Sequence, residues 1–117
     1  MLHILIYTLT HRTAAILQGI LETINADIDT TTNAATMVRM CESRSYDYII
    51  SDDATYFIDH KEVIRTLRHS CLSTPHIYII DSQESPMNVC RLLLNGIDQY
   101  IAQPLHPRRL LNKINTL

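Results

Sequence analysis

The 117-residue chain predicts a three-layer, doubly wound α/β domain on a five-stranded parallel sheet. Three observations carry this. Three apolar runs of strand length do not alternate polar with apolar, so both strand faces are covered. Stripes at helical spacing lie between the strand-like runs. Cap and turn signals separate them in a β-α order that repeats five times. Right-handed crossovers then place helices on both faces of one sheet.

The elements follow in order. Leu2 to Tyr7 is the first strand. Thr10 is a candidate cap, and Ile16, Leu17, Ile20, Leu21 and Ile24 form the stripe of the first helix. Ala26 to Thr30 is a weaker strand. Ala34, Val38 and Cys41 mark a second helix. Tyr48 to Ser51 is the third strand, inside the run "YDYIISDD" of residues 46 to 53. Asp59 and Glu62 resemble a capping pair ahead of Val63, Ile64 and Leu67. His76 to Ile80 is the fourth strand. Ser85-Pro86 is a cap followed by proline at the first helical position. That helix runs through Val89, Cys90 and Leu93 and stops at Asn95-Gly96. Gln99 to Ala102 is the fifth strand and, like the second, a weaker one. Pro107 opens a last helix with Leu110, Leu111 and Ile114.

Composition narrows the function. Hydrophobic residues make up 46%, with two glycines and four prolines, which is an ordered chain with a core. A formal charge of −2 does not by itself point to nucleic acid or a membrane. Arg108-Arg109 and the pair Arg65/Arg68 read as solvated helix faces. No apolar stretch is long enough to cross a bilayer, and no basic region precedes a signal-like core. Cys41, Cys71 and Cys90 are odd in number and far apart, so no disulfide framework is expected and a cytoplasmic location is. Six histidines without paired ligand spacing predict no structural metal site, and no cofactor is expected. His76 and His106 read as ordinary surface groups. Met37, Met40 and Met87 read as packing on helix faces.

In such folds ligands sit beyond the carboxyl ends of the strands. Those ends are Tyr7-Thr8-Leu9, Asp52-Asp53, Ile80-Asp81 and Ala102-Gln103-Pro104. The loop "YTLTHR" lacks the glycines of a phosphate cradle, and no glycine elbow frames a nucleophile. Asp52 and Asp53 therefore stand out. Carboxylates at the end of an apolar strand are costly unless they meet water, a metal or a partner.

The segment "GIDQYIAQP", residues 96 to 104, resembles the G-A-D-D-Y-L-x-K-P of receiver domains from bacterial two-component response regulators. "YDYIISD" resembles that family's strand ending in the phosphate-accepting aspartate, and "PHIYIID" its fourth strand. The resemblance runs over essentially the whole chain. It implies a flavodoxin-like sheet of order 2-1-3-4-5, with the first and fifth helices on one face and the second to fourth on the other. It also implies a cis bond before Pro104 and a switch-like role for Tyr100.

A working receiver needs an acceptor aspartate, an acidic pair for Mg²⁺, a hydroxyl and a lysine, because phosphoryl transfer is positioning plus charge neutralisation. By the resemblance Asp52 is the acceptor position. The acidic pair falls on Thr8 and Leu9, the hydroxyl on Ile80 and the lysine on Gln103. Hard Mg²⁺ prefers carboxylates and other oxygen ligands. The chain thus keeps the scaffold and drops the site, which predicts a pseudo-receiver that does not use aspartyl phosphorylation. Asp52 and Asp53 then become solvent-facing strand-end carboxylates.

"D-x-Y" before the last strand and "P-x-x-L-L" after it resemble receivers of the OmpR/PhoB type. That implies a transcriptional regulator that reaches DNA only through a further C-terminal domain. It also implies a homodimer through the Ser85-to-Asn95 helix, the Gln99-to-Ala102 strand and the Pro107-to-Thr116 helix. Gln99 and Arg109 replace acidic residues of the family's charge pairs, so the contact is expected to be apolar, with Leu92, Leu94, Ile97 and Leu110 as exposed anchors. No membrane partner is expected, nor input from a histidine kinase. Two other readings stand beside this one: a phospho-receiver that uses Asp52 with an unusual metal shell, and a single-domain adaptor. An enzyme with its own small substrate is not expected.

Overall fold

The computed structural model describes residues 1–52, 76–80, 86–94, 99–103 and 105–116. Its strands are β1 (Leu2–Tyr7), β2 (Ala26–Thr31), β3 (Tyr48–Asp52), β4 (His76–Ile80) and β5 (Gln99–Ala102). Its helices are α1 (His11–Leu21), α2 (Ala34–Ser43), α3 (Pro86–Leu94) and α4 (Pro107–Thr116). The helix expected around Asp59 to Leu67 lies outside the described residues. So do Ser85, the stop at Asn95-Gly96, and Pro104 with its preceding bond.

The sheet has the order β2-β1-β3-β4-β5, and every pairing is parallel. This is the doubly wound arrangement that the apolar, non-alternating strands predict. β2 and β3 each run one residue further than the sequence suggests. For β3 that residue is Asp52.

Successive strand residues point to opposite faces, and the core divides accordingly. Ile4, Ile6, Tyr48, Ile50, Ile77, Ile79 and Ile101 meet Leu17, Ile20 and Leu21 of α1 and Leu110 and Ile114 of α4. Leu5, Tyr7 and Ile49 meet Met37 and Cys41 of α2, with Tyr46 beside them. So α1 and α4, the predicted first and fifth helices, share one face, and α2 covers the other.

Several expectations need correction. Ile16 belongs to the apolar stripe by spacing but is exposed, because α1 buries only Leu17, Ile20 and Leu21. Thr10 holds the N-cap position of α1, yet its side chain makes no capping hydrogen bond. Met37 is buried and Met40 half-buried, but Met87 is exposed. Leu110 is 0% exposed and is no surface anchor. It lies one helical turn before Ile114, and that spacing turns both toward the sheet.

Side chains tie the ends of these elements together. Asn33 caps α2 by accepting from the Thr36 N–H at 2.9 Å. The Tyr48 hydroxyl donates to the Ile114 carbonyl near the end of α4. The Tyr46 hydroxyl and the Arg44 guanidinium both donate to Asp29 Oδ2, at 2.7 and 2.8 Å. Burial, together with that carboxylate, pushes the Tyr46 phenol up from its ordinary value.

Candidate functional site

The register sets Asp52 in the sheet rather than past its end. Asp52 pairs with Ile79 of β4, and Ile79 pairs with Ile101 of β5. On the other side Tyr7 pairs with Ser51, so Thr8 is the next residue in line with Asp52. Thr8, Asp52, Ile79 and Ile101 thus form one row across the carboxyl end of the sheet.

Asp52 is 1% exposed and Thr8 3%. This corrects the expectation that Asp52 faces solvent. The reason is the added residue of β3, which draws the carboxylate under its neighbours. A buried carboxylate needs hydrogen-bond donors. Thr8 supplies one, its hydroxyl donating to Asp52 Oδ2 at 2.7 Å. A hydroxyl has a single hydrogen to give. Thr8 Oγ1 also accepts from the Thr10 N–H at 3.1 Å, so the turn into α1 braces it. The Thr8 N–H continues the ladder to the Thr31 carbonyl at 3.3 Å. Thr8 is therefore held from two sides with its hydrogen on the carboxylate.

The remaining positions are placed as follows. Leu9 turns outward and is 44% exposed. Ile80 is the last residue of β4, opposite Ala102. Gln103 follows β5 and is half-buried. Asp53 and Pro104 lie outside the described residues. The sheet thus brings Thr8, Leu9, Asp52, Ile80 and Gln103 to one end. Tyr100 stands on the terminal strand β5 and is 40% exposed.

The donor set can be tested against Mg²⁺, the metal that the resemblance implies. The described residues at this end offer one carboxylate, Asp52, and it is engaged by the Thr8 hydroxyl. Leu9 offers no ligand atom. Among the described residues no three His, Cys, Asp or Glu side chains group together as a metal would need. Such a set does not fit a hard cation that takes several oxygen ligands, one or two of them carboxylates.

Two hollows lie near this end. One, of about 300 Å³, is lined by Thr8, Thr10, His11, Ala14 and Thr30 to Thr32. The other, of about 580 Å³, runs between β5 and α4. Neither was foreseen from the sequence. Both depend on the spacing between elements, which periodicity does not supply. Of the cations on the helix beside the second, only the doublet Arg108-Arg109 stands out in the sequence, as a solvated helix face.

No family model matches the sequence, and no curated protein matches it significantly. Solved structures do resemble the fold. The receiver domain of the Francisella response regulator 1452 superposes with a TM-score of 0.87 at 20% identity, over 99% of this chain and 95% of that one. A two-component response regulator from Clostridium difficile gives 0.88 at 22%, over 99% and 94%. The receiver domain of the sensor histidine kinase PA1611 from Pseudomonas aeruginosa, with a magnesium ion in its active-site cleft, gives 0.84 at 18%, over 98% and 95%. At these identities the likeness establishes a receiver-type, flavodoxin-like fold for this chain.

Proposed function

We propose that this chain is a regulatory receiver-type module of two-component signalling, and that it works through protein contacts without phosphorylation of Asp52. One observation carries the reading. The Asp52 carboxylate is buried and accepts the Thr8 hydroxyl at the position where the resemblance calls for a metal-binding acid. Nucleophilic attack needs the carboxylate open to the donor, whereas its burial and the bond to Thr8 support the role of a polar pin between β1 and β3. Leu9 and Gln103 add no charge that would neutralise a phosphoryl group.

The contact surface is proposed on α3, as part of a homodimer. Met87, Cys90 and Leu94 recur at helical spacing and are all exposed, Leu94 at 86%. An isologous two-fold contact is the common form for such modules. Leu110 is inward and takes no part. Ile97 lies outside the described residues, as does the side chain of Leu92. "D-x-Y" and "P-x-x-L-L" support placing the module in a transcriptional regulator whose DNA contacts lie on a further domain.

Asp52→Asn tests the reading in the intact regulator. The amide still accepts from Thr8 and cannot be phosphorylated. Regulatory output should be unchanged. Loss of output in a variant that still folds would favour the phospho-receiver reading.

A further inference from the structure

We infer that the hollow over the carboxyl ends of β1 and β2 binds a small, neutral, polyhydroxylated molecule of monosaccharide size. This deepens the reading above by giving the module an input other than phosphorylation. The hollow measures about 300 Å³, at the small end for ligand sites. The sheet contributes Thr8 and Thr30. Thr30 pairs with Ile6, so its side chain lies on the α1 face. Thr8, two residues after Ile6, lies on the same face. Thr10, His11 and Ala14 at the start of α1 form the opposite wall, and Thr32 follows the end of β2. Ligands of doubly wound sheets sit where the strand order reverses, which in this sheet is between β1 and β3. This hollow lies on the other side of β1, between β1 and β2.

The hydroxyls select the occupant. That of Thr8 is in use, giving its hydrogen to Asp52 and accepting from the Thr10 N–H. That of Thr31 is in use with the Asn33 backbone. Those of Thr10, Thr30 and Thr32 have no hydrogen-bond partner among the described residues. Three open hydroxyls from two elements thus meet His11 around one space. A threonine hydroxyl both donates and accepts, and so does each hydroxyl of a polyol. The threonine methyls and Ala14 suit the C–H faces between those hydroxyls. No Lys, Arg, Asp or Glu is among the described lining residues, so no such side chain calls for a charged ligand. Thr8 both lines the hollow and holds Asp52, so an occupant adjoins the pin between β1 and β3.

The test titrates the whole chain with D-ribose, D-glucose and myo-inositol in turn, and reads amide shifts by NMR. Inorganic phosphate is the charged comparison, because the first turn of α1 would favour an anion. At least one polyol should saturate, with a Kd on the order of a millimolar for so small a ligand. The shifts should centre on Thr8, Thr10, His11 and Thr30 to Thr32. The double variant Thr10→Val/Thr30→Val keeps the shapes and removes two hydroxyls. It should weaken binding at least about tenfold, as two lost hydrogen bonds would. Thr30→Val alone should weaken it by a smaller factor, and Leu94→Ala should bind like wild type. Failure of all three polyols to saturate, shifts centred elsewhere, or equal binding by the double variant would overturn the inference. So would phosphate binding at these residues more tightly than any of the polyols. Saturable binding in a protein that also gains a phosphoryl group on Asp52 would keep the hollow and overturn phosphorylation independence instead.

Discussion

The middle of the sheet and its outer edge handle charge in opposite ways. At the end of β3 a carboxylate is enclosed and bonded to a threonine from the neighbouring strand. Along β5 and α4 a tyrosine and an arginine stand exposed around an open hollow. The first place is where the fold would be expected to do chemistry, and packing closes it. The second has room, charge and an open strand edge. The contrast accords with the contact role proposed above.

The largest expected effect separates inward from outward leucines. Leu110→Ala removes a side chain with no exposure and should cost about 3 kcal/mol of folding stability, measured by denaturant unfolding. Leu94→Ala should change folding stability by less than about 0.5 kcal/mol, since surface positions rarely matter more. It should instead shift the proposed dimer toward monomer, because truncating an interface anchor commonly costs on the order of 2 kcal/mol. Sedimentation reads this directly. A wild type that stays monomeric at high micromolar concentration would remove the dimer from the account.

Those two leucines also show what was legible. The bounds of β1 and β4 can be read from apolar runs alone, because strands covered on both faces leave a continuous signal. Leu110 was legible too, since its spacing to Ile114 marks the inward row. The resemblance to a dimer face drew it outward against that periodicity. Ile16 shows the converse, a residue at correct helical spacing that the helix turns to solvent. Asp52 was harder. Hydropathy sends a carboxylate to water, and its hydroxyl partner is 44 residues away. Only strand pairing brings Thr8 beside it. The groove at β5 was not legible, because a hollow is set by the distance between elements.

Thr8→Val gives the next effect. The shape is kept and the donor to a buried carboxylate is lost. Stability should fall by about 2 kcal/mol, the usual cost of stripping a partner from a buried polar group. A change under about 0.5 kcal/mol would mean that the hydroxyl is incidental.

The smallest effect lies in the cysteines and sharpens the inside-outside contrast. Burial first, with Glu42 adding to it, pushes the Cys41 thiol up from 9.0 to about 11. The fold thus favours the neutral thiol. Its contribution is complete below pH 9, where the unfolded chain also keeps the proton. It is lost as pH rises through about 11. Unfolding free energy should therefore decline over that window, and less so in Cys41→Ala. At neutral pH, alkylation mapped peptide by peptide should mark the exposed Cys90 well before the buried Cys41. Equal rates would mean that the α2 face opens readily.

Intact-mass spectrometry after incubation with acetyl phosphate and Mg²⁺ tests the central claim most directly, with Asp52→Asn beside the wild type. The account predicts that neither protein gains a phosphoryl group, because the Asp52 carboxylate is buried and bonded to Thr8. A phosphoryl adduct on the wild type that disappears in Asp52→Asn would contradict it.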